Sequence, residues 1–178
     1  MPGMWGEGYA VHHKKKGCAM KYVYWAIPGV LAGRPGPDER EWDLRELKEA
    51  GFGAILSLHD CGVGMNDIDK YGFVHKLLPL PCSVPPTIDE FYTYQKLLPE
   101  ALAFINRNVT AGIPTLVHCH VGRDRTGVVL VCYLCTYEKI DISEAIRKLR
   151  VVKPSLISTD GYEAMVYRLL ASQSSEAT

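Results

Sequence analysis

The sequence has no excess of charge of either sign: among its 178 residues, 20 basic and 20 acidic side chains cancel to a formal net charge of zero. Proteins that wrap nucleic acid or lie on anionic membranes through bulk electrostatics carry a strong positive excess, so nucleic acid is excluded as a partner. Local patches of charge are not excluded. Long apolar runs are lacking too, none reaching the roughly 18 residues that a spanning helix requires, so no integral membrane segment is expected. The first twenty residues contain no apolar stretch followed by a small-residue cleavage site, and no export is implied. The six cysteines, at positions 18, 61, 82, 119, 132 and 135, are scattered through a chain that can fold on its own core. They read as free thiols in a reducing, cytoplasmic setting, each by default a small buried hydrophobe. Cys132 and Cys135 form a CxxC without a second pair at zinc spacing, and they lie within the apolar run VVLVCYLC. They are read as core residues.

What is present is one ordinary domain. With 47% apolar and 22% charged residues, a single core can bury most of its surface, whereas two domains would leave two undersized cores. The expected organisation is a flexible tail over 1–20, including the polar run His12 to Lys16, a single monomeric domain over 21–172, and a frayed tail over 173–178. Within the domain, KYVYW and PGVLAG read as short strands parted by Pro28 and Gly29. Residues 38–50 read as an amphipathic helix with an acidic start, stopped by Gly51. GAILSL and FVHKLLPL read as strands with a short crossover, MNDIDKYG, between them. Thr87 with Glu90 forms a capping box before a long helix to about Asn108, which Pro99 is expected to break or bend. TLVH is a further strand, and helices follow over 126–139, 143–152 and 161–172. Alternation of this kind predicts an α/β fold, a central mostly parallel sheet of about four to five strands flanked by helices. Ligands in such sheets bind beyond the carboxyl ends of the strands. That directs attention to His59 and Asp60, to Pro81 and Cys82, and to the segment from His118 to Thr126.

The last of these has the parts of an oxyanion cradle. A loop that wraps from a strand into a helix N-terminus directs several backbone N–H groups at one point, and the helix dipole adds positive potential there. Cys119, at the start of the loop, is expected to be an activated thiol, because its thiolate occupies the anion site. Arg125 stands six positions later, where a planar guanidinium can fork onto two phosphate oxygens. Gly122 allows the turn, and the Thr126 hydroxyl can donate to the sulfur as phosphorylated cysteine breaks down. His120, Val121, Gly122, Arg123, Asp124 and Arg125 make up the phosphate-binding loop, with His118 in support.

HCHVGRDRTG resembles the HCxxGxxR(S/T)G signature of the cysteine-dependent protein tyrosine phosphatase superfamily. From about Tyr22 to Ala171 the order of elements is similar to that of the small dual-specificity phosphatases, including LAGRP near the start and a proline pair before the long helix. The resemblance implies a protein phosphatase fold and a two-step reaction through a cysteinyl-phosphate on Cys119. It also implies a general acid, an aspartate in an IPD-like triplet ahead of prolines. Here the triplet reads Leu80-Pro81-Cys82, so Cys82 stands where that aspartate belongs. General acid catalysis contributes roughly 10²- to 10⁴-fold for a poor leaving group. Asp124, Asp60 and Asp89 are the substitutes, in that order; Asp124 equally suits a carboxylate that pairs with a basic neighbour and holds the loop in shape. Cys82 reads either as a buried, inert thiol or as a redox partner that protects Cys119 through a reversible disulfide.

His120 and Arg123 make the mouth of the loop more basic than in many protein phosphatases, and phosphoinositide-directed branches of the superfamily carry basic residues at these places. The expected substrate is a phosphorylated protein, with an inositol phosphate or phosphoinositide as the alternative. A binding module with weak turnover is the rival from another class, since the usual acid is missing. The chemistry requires no metal and no cofactor, and no cluster of His, Asp or Glu at metal spacing is found along the sequence. His75 alternates with apolar neighbours and is read as structural or exposed.

Overall fold

The computed structural model describes residues 19–62 and 65–175. The run His12 to Lys16 and Cys18, expected in a flexible tail, lie outside the described residues, as do 176–178. The elements in order are β1 (Tyr24–Ile27), β2 (Leu31–Pro35), α1 (Leu44–Glu49), β3 (Ala54–Ser57), α2 (Met65–Ile68) and β4 (Val74–Leu77). They continue with α3 (Ile88–Thr110), β5 (Thr115–Cys119), α4 (Asp124–Tyr137), α5 (Ile142–Val152) and α6 (Tyr162–Ser175). The sheet has five strands in the order β1-β2-β5-β3-β4, antiparallel only between β1 and β2. This is the expected mostly parallel sheet, with β5 at its centre.

The apolar runs are continuous because both faces of the sheet are covered. Leu31, Ala54, Leu56 and Val117 enter one cluster, with α3, α4, α5 and α6. Ala32, Ile55 and Leu116, one position out of phase, enter a second with Leu44 and Leu47 of α1. Period-two alternation thus divides each strand between two cores. Helix α4 is buried on every side from Asp124 to Leu134, which explains its nearly uninterrupted apolar sequence. Among the described residues no helix is long and apolar enough to cross a membrane.

Several elements differ from the sequence reading: β1 and β2 each begin three residues later than KYVYW and PGVLAG, and β4 ends at Leu77 and not at Leu80. The helix expected over 38–50 forms only at Leu44–Glu49, because Asp43 is its cap, accepting the Arg45 and Glu46 N–H groups. The Gly36 carbonyl instead closes a tight turn by accepting from the Glu39 and Arg40 N–H groups. Helix α3 runs unbroken through Pro99, which lies on the exposed face where water can satisfy the carbonyl that the proline leaves without a donor. Ala19–Tyr22, partly assigned to the N-terminal tail, form a 3-10 turn. Helix α6 continues to Ser175, three residues into the segment expected to fray. The capping box at Thr87 is present, and Glu90 also accepts the Ser83 N–H, which ties the loop before α3 to its first turn.

Candidate active site

The loop between β5 and α4 leaves the central strand at its carboxyl end. In the parallel register Pro35 stands opposite Cys119 and Arg34 opposite His118 on one side, with Ser57 opposite His118 on the other. Cys119 is 2% exposed, and its Sγ accepts the Gly122 N–H at 3.2 Å. The loop is fixed from outside by three bonds: Gly36 N–H donates to the His120 carbonyl at 2.8 Å, the Tyr24 hydroxyl donates to the Gly122 carbonyl at 2.7 Å, and the Ile157 N–H donates to the Arg123 carbonyl at 3.3 Å. Gly122 has φ +66, and a Cβ there would clash with the Arg34 carbonyl carbon and oxygen. Both the left-handed conformation and the close backbone approach require glycine. Gly122→Ala is therefore expected to destabilise the fold by about 2–5 kcal/mol, the sum of a left-handed penalty and a backbone clash. Urea unfolding measures this, and a loss below about 1 kcal/mol contradicts the packing described.

Arg125 and Thr126 occupy the first turn of α4. Arg125 is 8% exposed, and its Nη1 donates to the Leu80 carbonyl at 3.4 Å, a long contact. Arg125 Nε and Thr126 Oγ1 are both buried without a hydrogen-bond partner among the described residues. Buried donors left unsatisfied cost about 1–3 kcal/mol each, so two of them beside one thiol at a helix N-terminus fit a site that takes an oxyanion.

His118 is completely buried behind the nucleophile. Its Nε2 lies 2.7 Å from Ser57 Oγ, which in turn lies 3.0 Å from His75 Nε2. His75, read from sequence as structural or exposed, thus ends a buried polar chain. The Trp42 ring meets His118 edge-on at 4.8 Å, with the Arg34 guanidinium over the same indole at 5.3 Å. Burial, reinforced by Arg34 and His75, pushes the His118 imidazole down to about 3, so it is neutral in the folded protein. A base whose folded pKa is lowered contributes stability that is present above its unfolded value, about 6.5, and lost as the pH falls toward the folded value. Over that window stability is expected to fall by up to about 1.4 kcal/mol per pH unit from this group alone. Unfolding free energies at several pH values between about 4.5 and about 6.5 should give a shallower slope for His118→Gln than for wild type. Equal slopes contradict the buried neutral imidazole.

The three candidate carboxylates stand in different surroundings. Asp124 is 6% exposed; its Oδ2 accepts from Thr159 Oγ1 at 2.6 Å and Arg123 Nε at 2.9 Å, and its Oδ1 accepts the Thr159 N–H at 3.4 Å. These bonds match the loop-holding alternative read from sequence. Asp60 is exposed, with Oδ1 accepting the Gly62 N–H at 3.1 Å. It follows Leu58, whose N–H donates to the His118 carbonyl, so it lies at the same sheet edge as Cys119. Asp89 is exposed in the first turn of α3.

The thiols also divide. Cys132 is buried in α4, as expected, and burial pushes its pKa up; burial likewise pushes the half-buried Cys135 thiol up, to about 11. Cys61 is half-buried, and Cys82 is exposed, which corrects the reading of Cys82 as a buried inert group. Its loop is anchored where the Tyr94 hydroxyl donates to the Pro81 carbonyl at 3.1 Å. Burial raises the Tyr94 hydroxyl pKa, with Tyr162, Cys119 and Cys82 adding to the shift and Arg125 opposing it; these groups share one neighbourhood.

The mouth of the loop is less basic than the sequence suggested. Arg123 pairs with Asp124, and His120 Nδ1 lies 2.8 Å from Asp38 Oδ2. The same oxygen lies 3.0 Å from His59 Nε2. Hydrogen bonds from the two imidazoles, outweighing partial burial, hold the Asp38 carboxyl below the usual carboxylate range. Asp38, Tyr24, Ser57 and Trp42 were not singled out from sequence. Asp38 was read as a helix start, and the others carried no local signal. Asp38, His59 and His120 also correct the expectation that no metal-type cluster exists, since their donor atoms lie within 4.8 Å of one another.

The catalytic-domain family model of dual specificity phosphatases matches residues 65–170 of the chain. Phosphatidylglycerophosphate phosphatase PTPMT2 of Arabidopsis thaliana is 26% identical over 143 residues, covering 76% of this chain and 59% of that protein. Human dual specificity protein phosphatase 12 is 27% identical over 123 residues, covering 66% of this chain and 33% of that protein. The chain thus spans less than two thirds of either relative's length. The crystal structure of human DUSP28 superposes with a TM-score of 0.69 at 17% identity, covering 85% of this chain and 95% of that one.

Proposed function

Because the chain belongs to the dual-specificity phosphatase catalytic-domain family, we infer that it hydrolyses phosphomonoesters at Cys119, most favourably those of phosphorylated proteins. The observation that carries this reading is the seat of Cys119: a buried Sγ that accepts a loop N–H at 3.2 Å, with the Arg125 guanidinium in the helical turn that follows. The Cys119 thiolate attacks phosphorus, the P–O bond to the alcohol or phenol breaks, and the leaving oxygen takes a proton. Water then attacks the cysteinyl-phosphate, inorganic phosphate departs, and the thiolate is regenerated. Arg125 and the loop N–H groups bind the equatorial oxygens in both steps. Thr126 assists departure of the sulfur.

Asp60 is assigned as the proton donor and Asp124 as a positioning residue. Asp60 is exposed at the site's edge, whereas both oxygens of Asp124 carry hydrogen bonds. Cys82, exposed on the neighbouring loop, is the resolving thiol for an oxidised Cys119 in this reading. Monomeric action in the cytoplasm accords with free thiols at Cys82, Cys119, Cys132 and Cys135.

The similarity to PTPMT2 favours a second reading, in which the substrate is a phosphorylated lipid or an inositol phosphate. The carboxylates paired with His120 and Arg123 weigh against a polyanionic headgroup. One assay separates these readings: hydrolysis of an activated aryl phosphate, a phosphotyrosine peptide, a short-chain phosphoinositide and phosphatidylglycerophosphate, by wild type and by Asp60→Asn and Asp124→Asn. The proposal predicts the highest kcat/KM on the peptide. It also predicts a loss of about 10²-fold or more for Asp60→Asn on the peptide and a much smaller loss on the aryl phosphate. Preference for either lipid supports the second reading, and a selective loss in Asp124→Asn alone reverses the assignment of the two carboxylates. No turnover of any substrate under reducing conditions leaves a phosphate-binding module.

A further inference from the structure

The cluster at the loop mouth is built from three distant segments. Asp38 lies in the turn after β2, His59 follows β3, and His120 is the first residue after Cys119. The register of β2 and β3 with β5 delivers all three to one edge. We propose that Asp38 Oδ2, His59 Nε2 and His120 Nδ1 form a binding site for a divalent late first-row transition cation of the zinc class.

Two imidazoles and one carboxylate suit such an ion by ligand type, whereas calcium or magnesium calls for an all-oxygen set. The separations are also close to those required. With metal–ligand bonds near 2.0–2.2 Å, tetrahedral ligands stand about 3.3 Å apart. His59 Nε2 and His120 Nδ1 lie 3.0 and 2.8 Å from Asp38 Oδ2, so each of these two pairs opens by only a few tenths of an ångström to admit an ion, and all three donor atoms lie within 4.8 Å of one another.

A second observation comes from the far side of His120. A histidine ligand usually donates its other ring N–H to a carboxylate, which fixes the tautomer that presents a lone pair to the metal. His120 Nε2 lies 3.8 Å from Glu39 Oε2. When His120 binds through Nδ1, its proton moves to Nε2, and Glu39 must close by under an ångström to accept it in a hydrogen bond. The His59 and His120 rings meet at 62° with centroids 5.7 Å apart, so neither blocks the other's nitrogen. The three ligands are partly exposed at 21–43% of their side-chain surface, leaving the remaining coordination positions to water. Cys119 is not one of the donors, so the ion stands beside the phosphate cradle and not in it.

The test uses the full chain carrying Cys119→Ser, which removes the active-site thiol as a competing ligand. Zinc affinity is measured by competition with a chromogenic chelator, and cobalt substitution reports the ligand type by absorption. One ion per chain is expected, with a cobalt spectrum free of thiolate charge-transfer bands. Added separately, Asp38→Asn and His59→Ala are each expected to weaken zinc by at least about 100-fold, and Glu39→Gln by about 10-fold. All three side chains lie at the surface, and unchanged far-UV dichroism checks that each variant folds. Zinc affinity equal in the parent and both ligand variants overturns the proposal, as does absence of binding or a thiolate band that persists in them.

Discussion

Cys119→Ser is expected to lower kcat/KM for an aryl phosphate by at least about 10⁴-fold while leaving the protein folded and able to bind inorganic phosphate. The difference is one of nucleophilicity. Sulfur attacks phosphorus and later leaves it far more readily than a serine oxygen does. The serine keeps the shape of the site without that reactivity. Because the residue is 2% exposed and the two side chains have nearly the same shape, the exchange leaves the packing of β5 and α4 intact. Steady-state kinetics together with phosphate titration check both halves. A variant that keeps more than about a tenth of wild-type activity contradicts the role given to Cys119.

Arg125→Lys is expected to cost about 10²- to 10³-fold in kcat/KM, the range found for loss of a single oxyanion donor. Lysine retains the charge, so charge alone is not what the site needs. The guanidinium is 8% exposed and makes a 3.4 Å contact to the Leu80 carbonyl, with Nε unpartnered among the described residues. It can therefore turn two parallel N–H groups toward a phosphate, a geometry that an ammonium on a flexible stem does not reproduce. The loss should fall on kcat as well as KM, because the bidentate contact strengthens as charge develops on the transferring group. A lysine variant with wild-type kcat and only a raised KM contradicts this.

Much of the site was legible because its chemistry is local in sequence. Cys119, Gly122, Arg125 and Thr126 lie within one strand-to-helix turn, and the spacing itself encodes the curl of the loop. The inner strands were legible for a related reason: Ala54, Ile55 and Leu56 of β3 and Leu116 and Val117 of β5 are apolar and buried on both faces. What escaped depends on register between distant strands. Asp38 looked like an acidic helix start because Asp43, the actual cap, lies in the same acidic stretch. Only the pairing of β2 and β3 with β5 brings Asp38 and His59 to His120. For the same reason His120 read as part of a basic mouth, whereas Asp38 pairs with it in space; Arg123 pairs with Asp124, its neighbour in sequence. Tyr24, which clamps the Gly122 carbonyl, sits 98 positions before it and carried no pattern beyond that of a strand residue. Pro99 misled because a helix tolerates proline on its solvent face when buried neighbours such as Leu98, Ala101 and Leu102 hold it in place.

The central claim is that phosphate passes through a covalent bond to Cys119, and rapid acid quench followed by peptide mass analysis tests it most directly. Wild-type protein mixed with excess aryl phosphate should release a burst of phenol approaching one per chain. A single phosphoryl group should appear on the peptide containing Cys119, and it should be absent from Cys119→Ser. Phosphorylation of another residue, or turnover with neither burst nor phosphopeptide, contradicts the account.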